Sequence, residues 1–198
     1  MIDKENLAKR VEPLSKEFAG IIRLPQAEIE QLQTPFFQNG AIYRVAYYGP
    51  RHPIGFTVGC AGPDFTVLLP VNPEGFLELA TRAGVYLASD QSRLAYVLTF
   101  LRTTRHFAQR FQILNSFSEV ALINNPTPEH VRRYDQLKEQ YSSVIGPPVI
   151  SGHAPWTISV FALVRQDLAR IEVKLSADGT LERSDSVLEK DMPIAYMK

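Results

Sequence analysis

Fourteen prolines interrupt this 198-residue chain, yet none falls between Glu74 and Asn125. Proline removes a backbone donor and its ring clashes with the preceding helical turn, so long regular elements are confined to the gaps between prolines. The central gap is the longest. Elsewhere Pro13, Pro25, Pro35, Pro50, Pro53, Pro63, Pro70 and Pro73 precede it, and Pro126, Pro128, Pro147, Pro148, Pro155 and Pro193 follow.

Between these breaks the apolar period sets the element type. Leu7, Val11, Leu14 and Phe18 recur at helical spacing, with Asp3 as N-cap and Gly20 as stop. Pro13 predicts a kink or two short helices. A further short helix is expected after Pro25, using Ile29 and Leu32, so residues 1–35 read as helical. Three strands follow within 41–70: Ala41 to Tyr48, Gly55 to Cys60 and Phe65 to Leu69, joined by Pro/Gly turns as an antiparallel meander.

Asn72-Pro73-Glu74 opens a helix, with Phe76, Leu79, Ala80 and Ala83 inward and Gly84 as its end. A second helix starts at Ser89 or Asp90 and reaches about Arg105, with Leu94, Val97, Leu98 and Leu101 inward, so 73–105 is helical. Residues 107–123 read as extended, broken at Asn115-Ser116, with continued helix as the alternative. Thr127-Pro128-Glu129 opens a helix over 128–145, burying Val131, Tyr134, Leu137 and Tyr141. A β-meander over 156–188 closes the pattern: Thr157 to Val164 as a covered central strand, Ala169 to Ser176, the Asp178-Gly179 hairpin turn, and a polar edge strand from Thr180. Strands, helices, then strands again with short hairpins predict a single α+β domain, mainly antiparallel, with three to five helices.

Composition limits the function. Apolar residues are 45% and charged residues 21%, with 21 bases against 21 acids. Zero net charge weighs against a broad grip on nucleic acid. One Cys permits no internal disulfide, no apolar run approaches the ~18 residues of a membrane span, and Met1 to Asn6 lack a signal-peptide core. A soluble cytoplasmic protein is expected.

No phosphate-binding loop, dinucleotide fingerprint, paired Cys or nucleophile elbow occurs. Cys60 sits among small strand residues with no local base to activate it, and reads as packing. The four histidines lack metal-pair spacing, so neither metal nor cofactor is expected. His106 suits a helix C-terminus, and His130 a solvated first helical turn. His52 and His153 lie in stiff Pro/Gly loops, the first beside Arg51 and the second beside Trp156, and such loops can position groups for an anionic or aromatic ligand. The alternative is that these loops are connectors.

From Glu17 to Leu137 every base is Arg, and Arg93, Arg102, Arg105 and Arg110 have no acid between them. Arginine forks grip anions, so Arg102 and Arg105 join the candidate site; pairing with Glu74, Glu78, Asp90 or Glu119 is the structural alternative. The adjacent Tyr47 and Tyr48 face opposite sides of a strand, so both faces are expected to be covered, one by helices and the other by a partner subunit such as a second copy; the alternative is that one Tyr snorkels at the surface. The leading expectation is a binding protein without a catalytic motif, for a small molecule or a protein partner. The alternative is a cofactor-independent hydrolase or isomerase with a His52/His153 base and an arginine stabilising negative charge.

Overall fold

A computed structural model describes residues 3–49, 53–106 and 109–195. They include five α-helices and two antiparallel sheets, an α+β protein. The residues group into two compact units, Met1–Phe107 with Ala177–Thr180, and Ala108–Ser176 with Leu181–Lys198.

In the first unit, Asp3 caps α1 (Lys4–Val11), its Oδ1 accepting the Asn6 N–H at 2.8 Å. Pro13 ends that run, and Ser15 caps α2 (Lys16–Arg23). Gly20 is not the expected stop. It lies inside α2, because Ile21 and Ile22 continue the buried stripe, and the helix ends where Pro25 forces Leu24 into extended backbone. The break at Pro13 also turns Leu14 out of the stripe, leaving it 49% exposed.

The helix expected after Pro25 is instead strand β1 (Glu28–Gln31), paired antiparallel with β2 (Gly40–Tyr48). So short a segment gains little from helix formation, whereas the β2 edge offers a full ladder and aligns Ile29 with Val45 on the apolar face. The sheet continues through β3 (Pro53–Ala61) and β4 (Phe65–Leu68) in the order β1-β2-β3-β4. Tyr43, Val45, Phe56, Val58 and Cys60 pack on one face against Leu7, Val11, Ala19 and Ile22.

The other face receives α3 (Pro73–Ala83), and glycine makes this approach possible. A Cβ at Gly59 would lie 2.4 Å from Leu79 Cδ2, and one at Gly40 would lie 2.5 Å from the Ala83 Cβ. α4 (Asp90–Thr103) starts at a Ser89–Ser92 capping box. Its Tyr96 and Phe100 join Phe36, Phe37 and Phe76 in a cluster of edge-on and tilted rings at 4.7–6.4 Å.

In the second unit, β5 (Phe111–Leu114), β7 (Trp156–Val164), β8 (Asp167–Leu175) and β9 (Leu181–Glu189) pair in that order, with β6 (Val149–Ser151) also on β7. The stretch after Phe111 is therefore strand, followed by a 3-10 turn at Phe117–Glu119 and a bridge from Leu122 to Ile194. α5 (Pro128–Tyr141) buries Leu137 and Tyr141 against Leu114, Leu163, Leu168, Met192 and Ile194. Val131, expected inward, is 37% exposed. It sits in the first turn of α5, ahead of the stripe set by Tyr134, Leu137 and Tyr141. No helix among the described residues is long and apolar enough to cross a membrane.

Candidate functional site

Arg51 and His52 lie outside the described residues. The other expected site residues fall in both units. Arg102 is exposed in the last turn of α4, and Arg105, two residues beyond that helix, is half-buried, so burial pulls its guanidinium below its ordinary pKa. His153 is exposed in the loop between β6 and β7, and Trp156 is the half-buried first residue of β7, in register with Leu175. Arg102 and Arg105 thus share one helix end in the first unit, and His153 and Trp156 one hairpin loop in the second.

The rest of the arginine cluster serves structure. Arg93 bonds Asp90 at 2.6 Å, one turn back on α4. Arg110 donates to the Ala195 carbonyl and, at 3.1 Å, to Gln112 Oε1. Cys60 is buried on β3 with Sγ 3.9 Å from Thr66 Oγ1, and burial pushes its thiol pKa up, against a smaller opposing effect of Arg10. A protonated, enclosed thiol is a packing residue.

A pocket of about 270 Å³ forms in the second unit, around the start of α5. Its first wall comes from the sequence Thr127-Pro128-Glu129-His130. Thr127 Oγ1 accepts the His130 N–H at 3.3 Å, and His130 Nδ1 accepts the Thr127 N–H at 3.3 Å, a reciprocal cap. An Nδ1 that accepts leaves the neutral ring's proton on Nε2. His130 is therefore half-buried and fixed, in contrast to the solvated residue expected.

The second wall is the segment after β9, pinned at several points. Gln166, in the β7–β8 turn where Arg165 has φ +58°, accepts the Met192 N–H at 2.8 Å. Asp167 Oδ1 accepts the Asp191 N–H at 3.0 Å, and Pro193 O accepts the Ile123 N–H at 3.0 Å. Arg133 Nη2 donates to Glu189 Oε1 at 3.0 Å and to Lys190 O at 2.8 Å. Met192, Pro193 and Ile194 are buried beneath, with Ile123 beside them.

The charges in this pocket are unequal in availability. Arg133 is committed to Glu189 and Lys190, whereas the exposed Glu129 and Asp191 carboxylates form no ion pair among the described residues. Together with His130 Nε2 they leave acceptors and one donor over a small apolar floor. The arrangement can hold a ligand; among the described residues no group of three His, Cys, Asp or Glu is placed to hold a metal ion. The sequence carries the cap in Thr-Pro-Glu-His, but the approach of Asp191 depends on a hydrogen bond from its N–H to the Asp167 carboxylate, 24 residues away in the chain, which no local pattern announces.

No family model matches the chain, and no curated protein or solved structure matches it.

Proposed function

We propose that the chain is a binding protein, with no chemical step of its own, that takes a small ligand bearing a cationic nitrogen in the pocket beside α5. One observation carries this reading: two carboxylates without an ion pair among the described residues, Glu129 and Asp191, share a pocket whose arginine is already satisfied. Carboxylate acceptors of this kind favour a cationic donor. The volume of about 270 Å³ lies below the roughly 300 Å³ at which drug-sized sites begin, so the ligand is small. Nucleic acid is not part of this reading, since the chain has no net positive charge. A cytoplasmic setting suits its single, buried cysteine.

Thermal shift against putrescine, agmatine and arginine tests the reading. A probe at ~100 times its dissociation constant adds roughly 2.7 kcal/mol, or about 5–10 °C in Tm for a chain of this size. Asp191→Asn and Glu129→Gln should each reduce that shift. A panel of such amines that leaves Tm unmoved, or variants that respond like the native chain, would overturn it.

A further inference from the structure

β9 is the outer strand of the second sheet, and among the described residues β8 is the one strand paired with it. Residues Glu182 to Val187 are all exposed, and Val187 is 51% exposed on the same strand face as Leu181, Arg183 and Asp185. An outer strand of this length offers a row of backbone donors and acceptors to another chain. At its C-terminal end the row is closed. Tyr141 Oη donates to Leu188 O at 3.1 Å, and Arg133 to Lys190 O at 2.8 Å. The open edge therefore stops at Val187.

The order of side chains on that open edge selects the partner. Two copies of one strand paired about a two-fold axis place residues opposite each other whose numbers have a constant, even sum. With the axis at Ser184, Arg183 faces Asp185 of the second copy, and Leu181 faces Val187, each twice by symmetry. Moving the axis to Arg183 or to Asp185 sets like residues face to face, Arg on Arg or Asp on Asp. Moving it to Ser186 runs the partner into the end that Tyr141 and Arg133 close. Only the Ser184 register both opposes unlike charges and fits the open edge. An edge built to repel neighbours would carry charges of one sign; here Arg183 and Asp185 are opposite in sign about Ser184, and Glu182 meets the neutral Ser186. Within one chain Arg183 already reaches Asp185, its Nε 2.7 Å from Oδ1, so the pairing exchanges the intrastrand contact of each copy for two cross-strand ones.

We propose that β9 is a homodimer interface, on which a second copy of this chain adds its own β9 antiparallel, centred on Ser184, to make one continuous sheet.

Sedimentation equilibrium of the full chain, from low micromolar to about 100 µM, reads this directly. The native chain should show a monomer–dimer equilibrium. Arg183→Asp and Asp185→Arg each place like charges across the axis and should weaken self-association at least about tenfold. An equimolar mixture of the two variants restores unlike pairing and should form a heterodimer near native affinity. The double variant R183D/D185R should recover self-association as well, and its circular dichroism verifies the fold. A native chain that stays monomeric over this range would overturn the proposal. So would single variants that dimerise like the native chain, or a mixture and a double variant that both fail to recover it.

Discussion

The Tyr96 hydroxyl donates a 2.7 Å hydrogen bond to the carbonyl of Gly179, joining α4 to the Asp178-Gly179 turn inside the first unit. Tyr96 is fully buried, and Gly179 has φ +90° with room for no Cβ, since one would lie 2.9 Å from Val85 Cγ2. The turn is thus glycine for its backbone and for its neighbour. Tyr96→Phe strands the Gly179 carbonyl and should cost about 1–3 kcal/mol, read as a lower urea midpoint at unchanged slope.

The same bond has a pH dependence. Burial, and then the Asp178 carboxylate, push the Tyr96 hydroxyl well above the ordinary tyrosine pKa. The folded state therefore holds a proton that the unfolded chain releases from about pH 10, and stability falls as pH rises beyond that point. The contribution is fully present below it. Urea midpoints measured between pH 8 and 11 should decline at the alkaline end, and less steeply in Tyr96→Phe. An identical decline in both proteins would rule out Tyr96 as a source.

Val71 carries a conformational cost with no packing return. It is β-branched, has φ +56° and is 64% exposed, while its N–H donates to Thr104 O at 3.1 Å. A left-handed backbone costs a residue with a Cβ roughly 1–2 kcal/mol, and the added flexibility of glycine returns roughly half of that. Val71→Gly should raise stability by about 0.5–1 kcal/mol, measured by thermal or urea unfolding.

Cys60 should behave as core. The residue is 5% exposed, and its thiol is held protonated chiefly by burial. Ellman's reagent should react with it slowly in the native chain and promptly in denaturant, at a native rate set by opening of the fold. Rapid modification of the native protein would contradict this packing.

How far these features were legible depends on the range of the interaction that sets them. Caps at Asp3, Asn72, Ser89 and Thr127 are local, and each was readable from three or four consecutive residues. So were the meander after Ala41 and the Asp178-Gly179 turn, because strand alternation and turn chemistry act within a hairpin. β1 was missed because its type is decided by the free edge of β2, not by its own four residues. Gly20 misled because a glycine can be tolerated mid-helix where Ile21 and Ile22 hold the stripe. The pocket was missed for the same reason as β1: His130 looked solvated until a segment some 60 residues onward was pinned beside it.

His130 separates fold from ligand in one position. Its Nδ1 closes the capping box with Thr127, and its side chain lines the pocket. Glutamine at the third helical position also caps reciprocally, so His130→Gln should keep the native Tm within a degree or two, about 0.5 kcal/mol. His130→Ala removes the acceptor for the Thr127 N–H and should lower stability by about 0.5–1 kcal/mol, while Thr127→Ala should cost about 1 kcal/mol. Calorimetric titration with the amine that gives the largest thermal shift then isolates the other role. Affinity should fall in His130→Gln although the fold is intact, because the glutamine amide, committed to the cap, replaces the imidazole Nε2. Equal affinity in His130→Gln and the native chain would confine His130 to the cap and leave Glu129 and Asp191 as the binding groups.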